Sequence, residues 1–292
     1  LETLKNVQEE KYKVLKLNKR ATGANLPTYH AVDLKGKELH EGLSKELLEA
    51  TQTELDKGNQ VLIFLNRRGY APSMICKACG WISNCDRCDA LMTVHKNPLK
   101  LHCHHCEAQK PYPSKCPSCG SDDFLTYGFG TERVEEFLRG HFPDTKTLRI
   151  DSDSTRKKES LNEYFDEIKK GEPIILLGTQ LLAKGHHFPN VTLVGIIDAD
   201  SGLFSADFRG SERVAQLMTQ VAGRAGRDKK PGRVILQSYC LDHPQIEEII
   251  TGSYEKFAKK LLEERKSYKI PPFSFQAKIF AESPKSLSLI HI

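Results

Sequence analysis

Eight of the nine cysteines in this 292-residue chain stand as four Cys-x-x-Cys pairs between Cys76 and Cys119, interrupting a sequence that otherwise alternates apolar strands with amphipathic helices. A Cys-x-x-Cys turn places two thiolates on the same side of a tight loop, so two turns complete a tetrahedral four-cysteine zinc site with no open position. Four turns imply two structural Zn2+ ions. Nothing in the first residues, LETLKNVQEEKYKV, has the basic, apolar and small-residue regions of a secretory signal, so the thiols are expected to stay reduced rather than form disulfides.

Local similarity suggests how the four turns pair. The first and fourth knuckles, CKACG and CPSCG, carry Gly after the second Cys, where a positive φ turns backbone N–H groups toward the sulfurs. The second and third, CDRCDA and CHHCEA, share an acid and an Ala there. Pairing like with like gives a nested arrangement, with Cys76, Cys79, Cys116 and Cys119 on one ion and Cys85, Cys88, Cys103 and Cys106 on the other. Nesting brings the two ends of the segment together at the outer ion, which suits an insertion better than sequential or interleaved pairing. His102, His104 and His105 are not needed as ligands and are expected at the surface or beside the sites. Cys240 has no partner nearby in sequence and is expected as an inert core thiol.

Charge says little about a partner. The chain carries net +5 and a mean hydropathy of −0.47, and no apolar run approaches the ~18 residues of a membrane span. From Cys76 to Cys119 six Lys and Arg face three acids, and eight thiolates with two Zn2+ bring the segment to a formal charge of −1. That is not an electrostatic footprint for phosphate, although Trp81 and Tyr112 are able to stack on a base or fill a protein pocket.

Around the cysteines the pattern predicts an α/β lobe. Continuous apolar strands are expected at Gln60–Leu65, Thr147–Ile150, Ile174–Gly178, Val191–Ile197 and Arg233–Gln237, with helices from Ser44 to Gly58, from Thr131 to Gly140, from Arg156 to Lys170 and from Ser211 to Ala222. Ser44 and Thr131 read as N-caps, and Gly58 and Gly140 as residues just past helix ends. Tyr12–Leu17 alternates like an edge strand, and KRATGANLPTYH at Lys19–His30 reads as a linker. Five strands with helical crossovers make a parallel, doubly wound sheet.

Two segments carry motor chemistry. QVAGRAGR at Gln220–Arg227 follows a helix and spaces Arg224 and Arg227 to address one anion, as an arginine finger does, with Gln220 one turn earlier to orient a nucleotide. GTQLLAKGHHF leaves the carboxyl end of a strand, and Thr179, Lys184, Gly185 and His186 are expected along a single strand of DNA.

NRRGYAP at Asn66–Pro72, the four knuckles, GTQLLAKGHHFPNVTLV at Gly178–Val194, LFSADFR at Leu203–Arg209 and QVAGRAGR resemble the bacterial replication-restart helicases of superfamily 2, the PriA family. The resemblance implies a RecA-like second helicase lobe of the P-loop NTPase type with an inserted two-zinc module. It also implies ATP and Mg2+ as a substrate pair, forked and single-stranded DNA, single-strand-binding protein and primosome proteins as partners, and a bacterial cytoplasmic, nucleoid-associated location. The activity it implies is 3′ to 5′ unwinding of DNA at stalled forks.

No G-x-x-x-x-G-K-[ST] loop and no D-E-x-H box stands in these residues. The Asp-Glu at Asp166–Glu167 belongs to an amphipathic helix, and Asp198 and Asp200 read as structural or coupling residues. The expected organisation is 1–43 for the end of a first lobe and linker, 44–75 with 121–240 for the second lobe, 76–120 for the zinc insertion and 241–292 for the start of a further domain ending in a truncation scar, SLSLIHI. A first lobe is expected before Leu1. The rival readings are a zinc adaptor without enzymatic activity and another zinc-bearing superfamily 2 helicase. QVAGRAGR argues against the adaptor, which has no use for two spaced arginines, and metal inside the lobe rather than after it argues against helicases of the recombination type.

Overall fold

The structure is a computed structural model and describes residues 1–15, 26–65, 74–88, 91–96, 98–103, 106–125, 130–151, 158–179, 182, 188–197, 199–200, 208–226, 230–251 and 254–277. In chain order these form α1 (Glu2–Gln8), β1 (Thr28–Asp33), β2 (Leu39–His40), β3 (Leu43–Ser44), α2 (Lys45–Asp56), β4 (Gln60–Phe64), β5 (Ile75–Cys76), β6 (Thr93–Lys96), β7 (Leu99–His102), β8 (Gln109–Pro111) and β9 (Phe124–Leu125). There follow α3 (Thr131–His141), β10 (Lys146–Ile150), α4 (Lys158–Lys169), β11 (Ile174–Gly178), β12 (Val191–Ile196), α5 (Gly210–Ala222), β13 (Arg233–Ser238), α6 (Pro244–Ile250) and α7 (Tyr254–Ser267). Two units separate, Leu17–Tyr254 and Leu1–Lys16 with Glu255–Ile292.

The larger unit is built on a six-stranded, wholly parallel sheet in the order β1-β13-β12-β4-β11-β10. Strands β4, β11 and β12 are buried along their whole length, as expected of apolar runs covered on both faces. Alternation divides the core. Val61, Ile63, Ile175, Leu177, Leu193 and Ile235 join Leu47 and Leu48 of α2 and Val134 and Leu138 of α3 in one cluster. Each such side chain contributes about 2 kcal/mol of burial, and truncating one to Ala costs roughly 2–5 kcal/mol.

Several local expectations are corrected. The sheet has six strands, because Thr28–Asp33, read as the end of a linker, pairs in parallel with β13 from Thr28↔Arg233 to Asp33↔Ser238. The lobe therefore takes in residues before Ser44. Tyr12–Leu17 is not an edge strand: residues 12–15 are irregular, with Tyr12 54%, Val14 56% and Leu15 95% exposed, and 16–17 lie outside the described residues. Alternation without a partner strand makes no ladder. The N-cap of α3 is Gly130 rather than Thr131, whose hydroxyl instead donates to the Asp151 carboxylate at 2.9 Å, and Gly140 lies inside a helix that runs on to His141.

Ser44 caps α2 as expected, its Oγ accepting the Leu47 N–H at 3.3 Å, and Gly58 follows the helix end at φ +75°. Gln237 of β13 anchors this corner: its Oε1 accepts the Ser44 N–H at 2.9 Å and its Nε2 donates to the Gly42 carbonyl at 2.7 Å. In the smaller unit Phe257, Leu261 and Leu262 of α7 are buried, and Arg265, 1% exposed, donates to the Pro271 carbonyl at 3.3 Å. Replacing Ser44 with Ala should lower the stability of the chain by about 1 kcal/mol in denaturant unfolding, the usual loss on removing a cap. An unchanged midpoint would show that Gln237 alone holds the start of α2.

Candidate zinc centres and arginine turn

The cysteines assemble in the nested arrangement. Sγ atoms of Cys76, Cys79, Cys116 and Cys119 all lie within 4.8 Å of one another, as do those of Cys85, Cys88, Cys103 and Cys106. Across each cluster the separations are 3.6 Å for Cys76–Cys119, 3.7 Å for Cys79–Cys116, and 3.5 Å for both Cys85–Cys106 and Cys88–Cys103. A disulfide needs about 2.0 Å. A tetrahedral zinc with Zn–S near 2.3 Å sets its ligands about 3.8 Å apart, so the spacing fits zinc.

Three of the knuckles share one local turn, in both clusters. In both outer knuckles the glycine N–H donates to the first cysteine's carbonyl, Gly80 to Cys76 at 2.8 Å and Gly120 to Cys116 at 2.9 Å, with φ +77° and +78°. In the third knuckle Glu107 plays the same part at φ +61°, its N–H donating to the Cys103 carbonyl at 2.9 Å. The thiols of one cluster are driven in opposite directions. Burial raises Cys79, but the Trp81 N–H and neighbouring thiols outweigh it and lower it to about 7. The Ser121 N–H lowers Cys119, yet hydrogen bonds with Cys79 and burial push it up to about 12. Four crowded thiols cannot all ionise alone; a divalent cation among them removes that conflict.

The outer cluster is docked on the lobe. The chain enters and leaves the module through the antiparallel pair β5 and β9, with Ile75↔Leu125 and Cys76↔Phe124. The Gly36 N–H, just after β1, donates to the Lys77 carbonyl at 2.9 Å. Gly80 packs so closely that a Cβ there would stand 2.7 Å from the Tyr239 carbonyl, just after β13. Beneath this contact Asp200 is buried, accepting from Ser238 Oγ at 2.5 Å and from the Tyr239 N–H at 2.8 Å, and burial pushes its carboxyl up to about 6. Asp200 thus ties the end of β12 to the end of β13, while Asp198 lies outside the described residues. Cys240, expected in the core, packs partly buried against it, and burial pushes its thiol up to about 12.

The inner cluster sits on the three-stranded antiparallel sheet β6-β7-β8. Its small core contains Met74, Met92, Val94 and Leu101 with Cys85 and Cys103, and Trp81 and Tyr112 pack against it. Packing is therefore the role visible for those two aromatics. His102 is hydrogen-bonded to Glu107 at 2.9 Å and belongs to neither cluster; His104 and His105 lie outside the described residues.

The two motor segments touch, among the described residues, where the Gly-Arg turn reaches the start of β12 at the amino edge, opposite the zinc module. Thr179 follows β11 at the carboxyl edge and is 6% exposed, its carbonyl accepting the Leu182 N–H at 3.0 Å. The chain then returns to Phe188 and Val191 at the amino edge; Lys184, Gly185 and His186 lie outside the described residues. Helix α5 ends at Ala222, as expected, and Arg224 occupies the turn that follows. Gln220 is exposed, Arg224 is buried at 5%, and Arg227 lies outside the described residues. The turn is pinned by the Gly226 N–H donating to the Val191 carbonyl at 3.0 Å. At φ +61°, Gly226 lies so near Gly232 that a Cβ would meet its nitrogen at 2.3 Å. Sequence reading missed both this attachment and the docking of Gly36 on Lys77, since each joins segments distant along the chain.

A parallel α/β lobe, a pinned Gly-Arg turn and a nested eight-cysteine insertion define the C-terminal lobe of a zinc-bearing helicase. Residues 121–229 match the helicase conserved C-terminal domain, and residues 85–111 match the PriA DNA helicase Cys-rich region domain, which coincides with the inner cluster. The chain is 50% identical to the replication restart protein PriA of Haemophilus influenzae over 98% of its own length and 39% of that protein. It is 42% identical to that of Rickettsia conorii over 100% and 46%. Over the residues it spans, the chain belongs to the replication restart protein PriA family, and it covers less than half the length of these relatives. A solved structure of S. cerevisiae Dbp5 bound to RNA and ADP BeF3 aligns with 91% of the chain and 52% of that protein at 12% identity and a TM-score of 0.42. Among the described residues no helix is long and apolar enough to cross a membrane.

The nesting has a direct chemical check. Elemental analysis of the purified chain should give two zinc per molecule. Cys76→Ser and Cys119→Ser should each weaken the same ion and leave the second bound, whereas loss patterns that cross the two sets would mean an interleaved brace.

Proposed function

We propose that the chain is the second motor lobe of an ATP-dependent 3′ to 5′ DNA helicase that acts at stalled replication forks and starts primosome assembly. The observation that carries this reading is the Gly-Arg turn fastened to the start of the central strands, in a lobe whose inserted cysteines match the family's own. The two cysteine sets each hold one Zn2+ as a structural ion. Cys76, Cys79, Cys116 and Cys119 close the insertion, and Cys85, Cys88, Cys103 and Cys106 fold its outer part. A closed four-thiolate site offers zinc no open position, so its work is to shape the module.

In this reading Arg227 reaches the γ-phosphate of an ATP whose phosphates and Mg2+ are held by another lobe. Guanidinium donors there stabilise the charge that develops during phosphoryl transfer, an effect worth ~10³ to 10⁵ in rate in related chemistry. Arg224, buried in the turn, serves the same phosphate beside Arg227, and Gln220 orients the nucleotide from the last turn of α5. Thr179, Lys184, Gly185 and His186 lie along the DNA strand. Forked and single-stranded DNA, single-strand-binding protein and primosome proteins are the partners that follow from the family.

These 292 residues contain no phosphate loop, so the isolated chain should show no ATP turnover, with or without DNA; turnover from a clean preparation would contradict the assignment. In the full-length protein Arg227→Ala should lower DNA-stimulated ATP turnover by at least ~10²-fold while fork binding survives. Arg227→Lys should recover little, because an ammonium lacks the planar fork of donors. Loss of DNA binding with ATP turnover intact would move Arg227 to the nucleic-acid surface.

A further inference from the structure

At the amino edge of the sheet one carboxylate gathers groups that are far apart in sequence. Glu54, in the last turn of α2, has a side chain only 12% exposed. Its Oε2 accepts from Thr192 Oγ1 at 2.6 Å and from Asn59 Nδ2 at 2.8 Å, while Oε1 accepts from Lys57 Nζ at 2.8 Å. Burial alone would raise this carboxyl, but Lys57, Thr192 and Asn59 together hold it below the usual range.

The Thr192 contact coincides with an irregularity in the sheet. The register of β12 against β4 shifts between Val191 and Leu193, which sets Thr192 out of the regular pairing. Such bulges recur where a side chain must be re-aimed beside a functional site.

Both arms of this network end on the arginine turn. Val191, next to Thr192, accepts the Gly226 N–H at 3.0 Å, and Asn59 Oδ1 accepts from Lys230 Nζ at 2.5 Å. Gly226 and Lys230 bracket Arg227 in sequence. Glu54 is only partly buried and Lys57 is 58% exposed, so the ion pair itself adds little net stability and the contacts of Glu54 matter for what they tie together. They reach the start of β12, from which the turn hangs.

We propose that Glu54 and Thr192 are positioning residues for the arginine turn, holding the start of β12 against β4 and, through Val191 and Asn59, both stems of the segment that carries Arg227. Neither touches nucleotide. The inference rests on the reading of that turn as the element that faces ATP in the full-length protein.

The test is a set of cycles in the full-length protein. Thr192→Val, which keeps the shape and removes the hydroxyl, and Glu54→Ala are each made alone and with Arg227→Ala, and DNA-stimulated ATP turnover and thermal unfolding are measured. Alone, they should lower kcat about 3-fold and about 10-fold with KM within about twofold, as misplacement of a transition-state group does. Added to Arg227→Ala they should cost nothing further, because the group they position is gone. Equal losses in both backgrounds, or full kcat in folded single variants, would overturn the proposal. Should Glu54→Ala fail to fold, Thr192→Val decides alone. If Arg227→Ala itself retains full turnover, the nucleotide reading fails and the positioning role falls with it. If Arg227→Ala loses turnover while the other two keep it, only the positioning role fails.

Discussion

The closure of the cysteine excursion on itself is what allows a module to interrupt the lobe between β4 and α3 without breaking its sheet. Strand β4 is central, with β12 on one side and β11 on the other, and α3 packs in the same core layer, yet the module stands between them in sequence. The chain that leaves at Leu65 must return at Gly130. Ligands drawn from the first and fourth knuckles supply that closure, and the β5–β9 pair sits directly against it. Closing a long loop costs entropy that grows only with the logarithm of its length, so a large module is tolerated once its two ends are clamped.

The lobe has two edges with different attachments. At the carboxyl edge, the ends of β1 and β13 receive the outer knuckle at Gly36 and Tyr239, and Asp200 braces the floor beneath. At the amino edge, the starts of β4 and β12 receive the Gly-Arg turn. Strands of five or six residues separate the two by about 17–20 Å. Thr179 and Val191, which belong to one motif in the sequence, stand at opposite edges of the sheet.

Much of this architecture was legible in the sequence because its signals are local. Fully apolar strands such as QVLIF and IILLG declare a sheet covered on both faces, and glycine after the second cysteine of the outer knuckles declares a positive φ. The nesting was readable for the same reason. What escaped were features defined by contacts across the chain. Thr28–Asp33 has no strong strand pattern and becomes a strand because β13 offers it an edge. Thr131 carries the chemistry of an N-cap, but the buried carboxylate of Asp151 competes for its hydroxyl and wins. The Glu54 network joins α2, β12 and the loop before β13, and no spacing rule links them. The end of the helix at Ala222 was legible, but the tie from Gly226 to Val191 was not.

Hydrogen exchange on the chain before and after chelation of zinc tests most directly the claim that the cysteine module is a closed insertion docked on an autonomous sheet. The expected result is loss of protection in residues 74–125 and at Gly36, with the amides of β4, β11 and β12 still slow. Collapse of protection in β4 and β11 together with the module would contradict the account, as would a module that stays protected without metal.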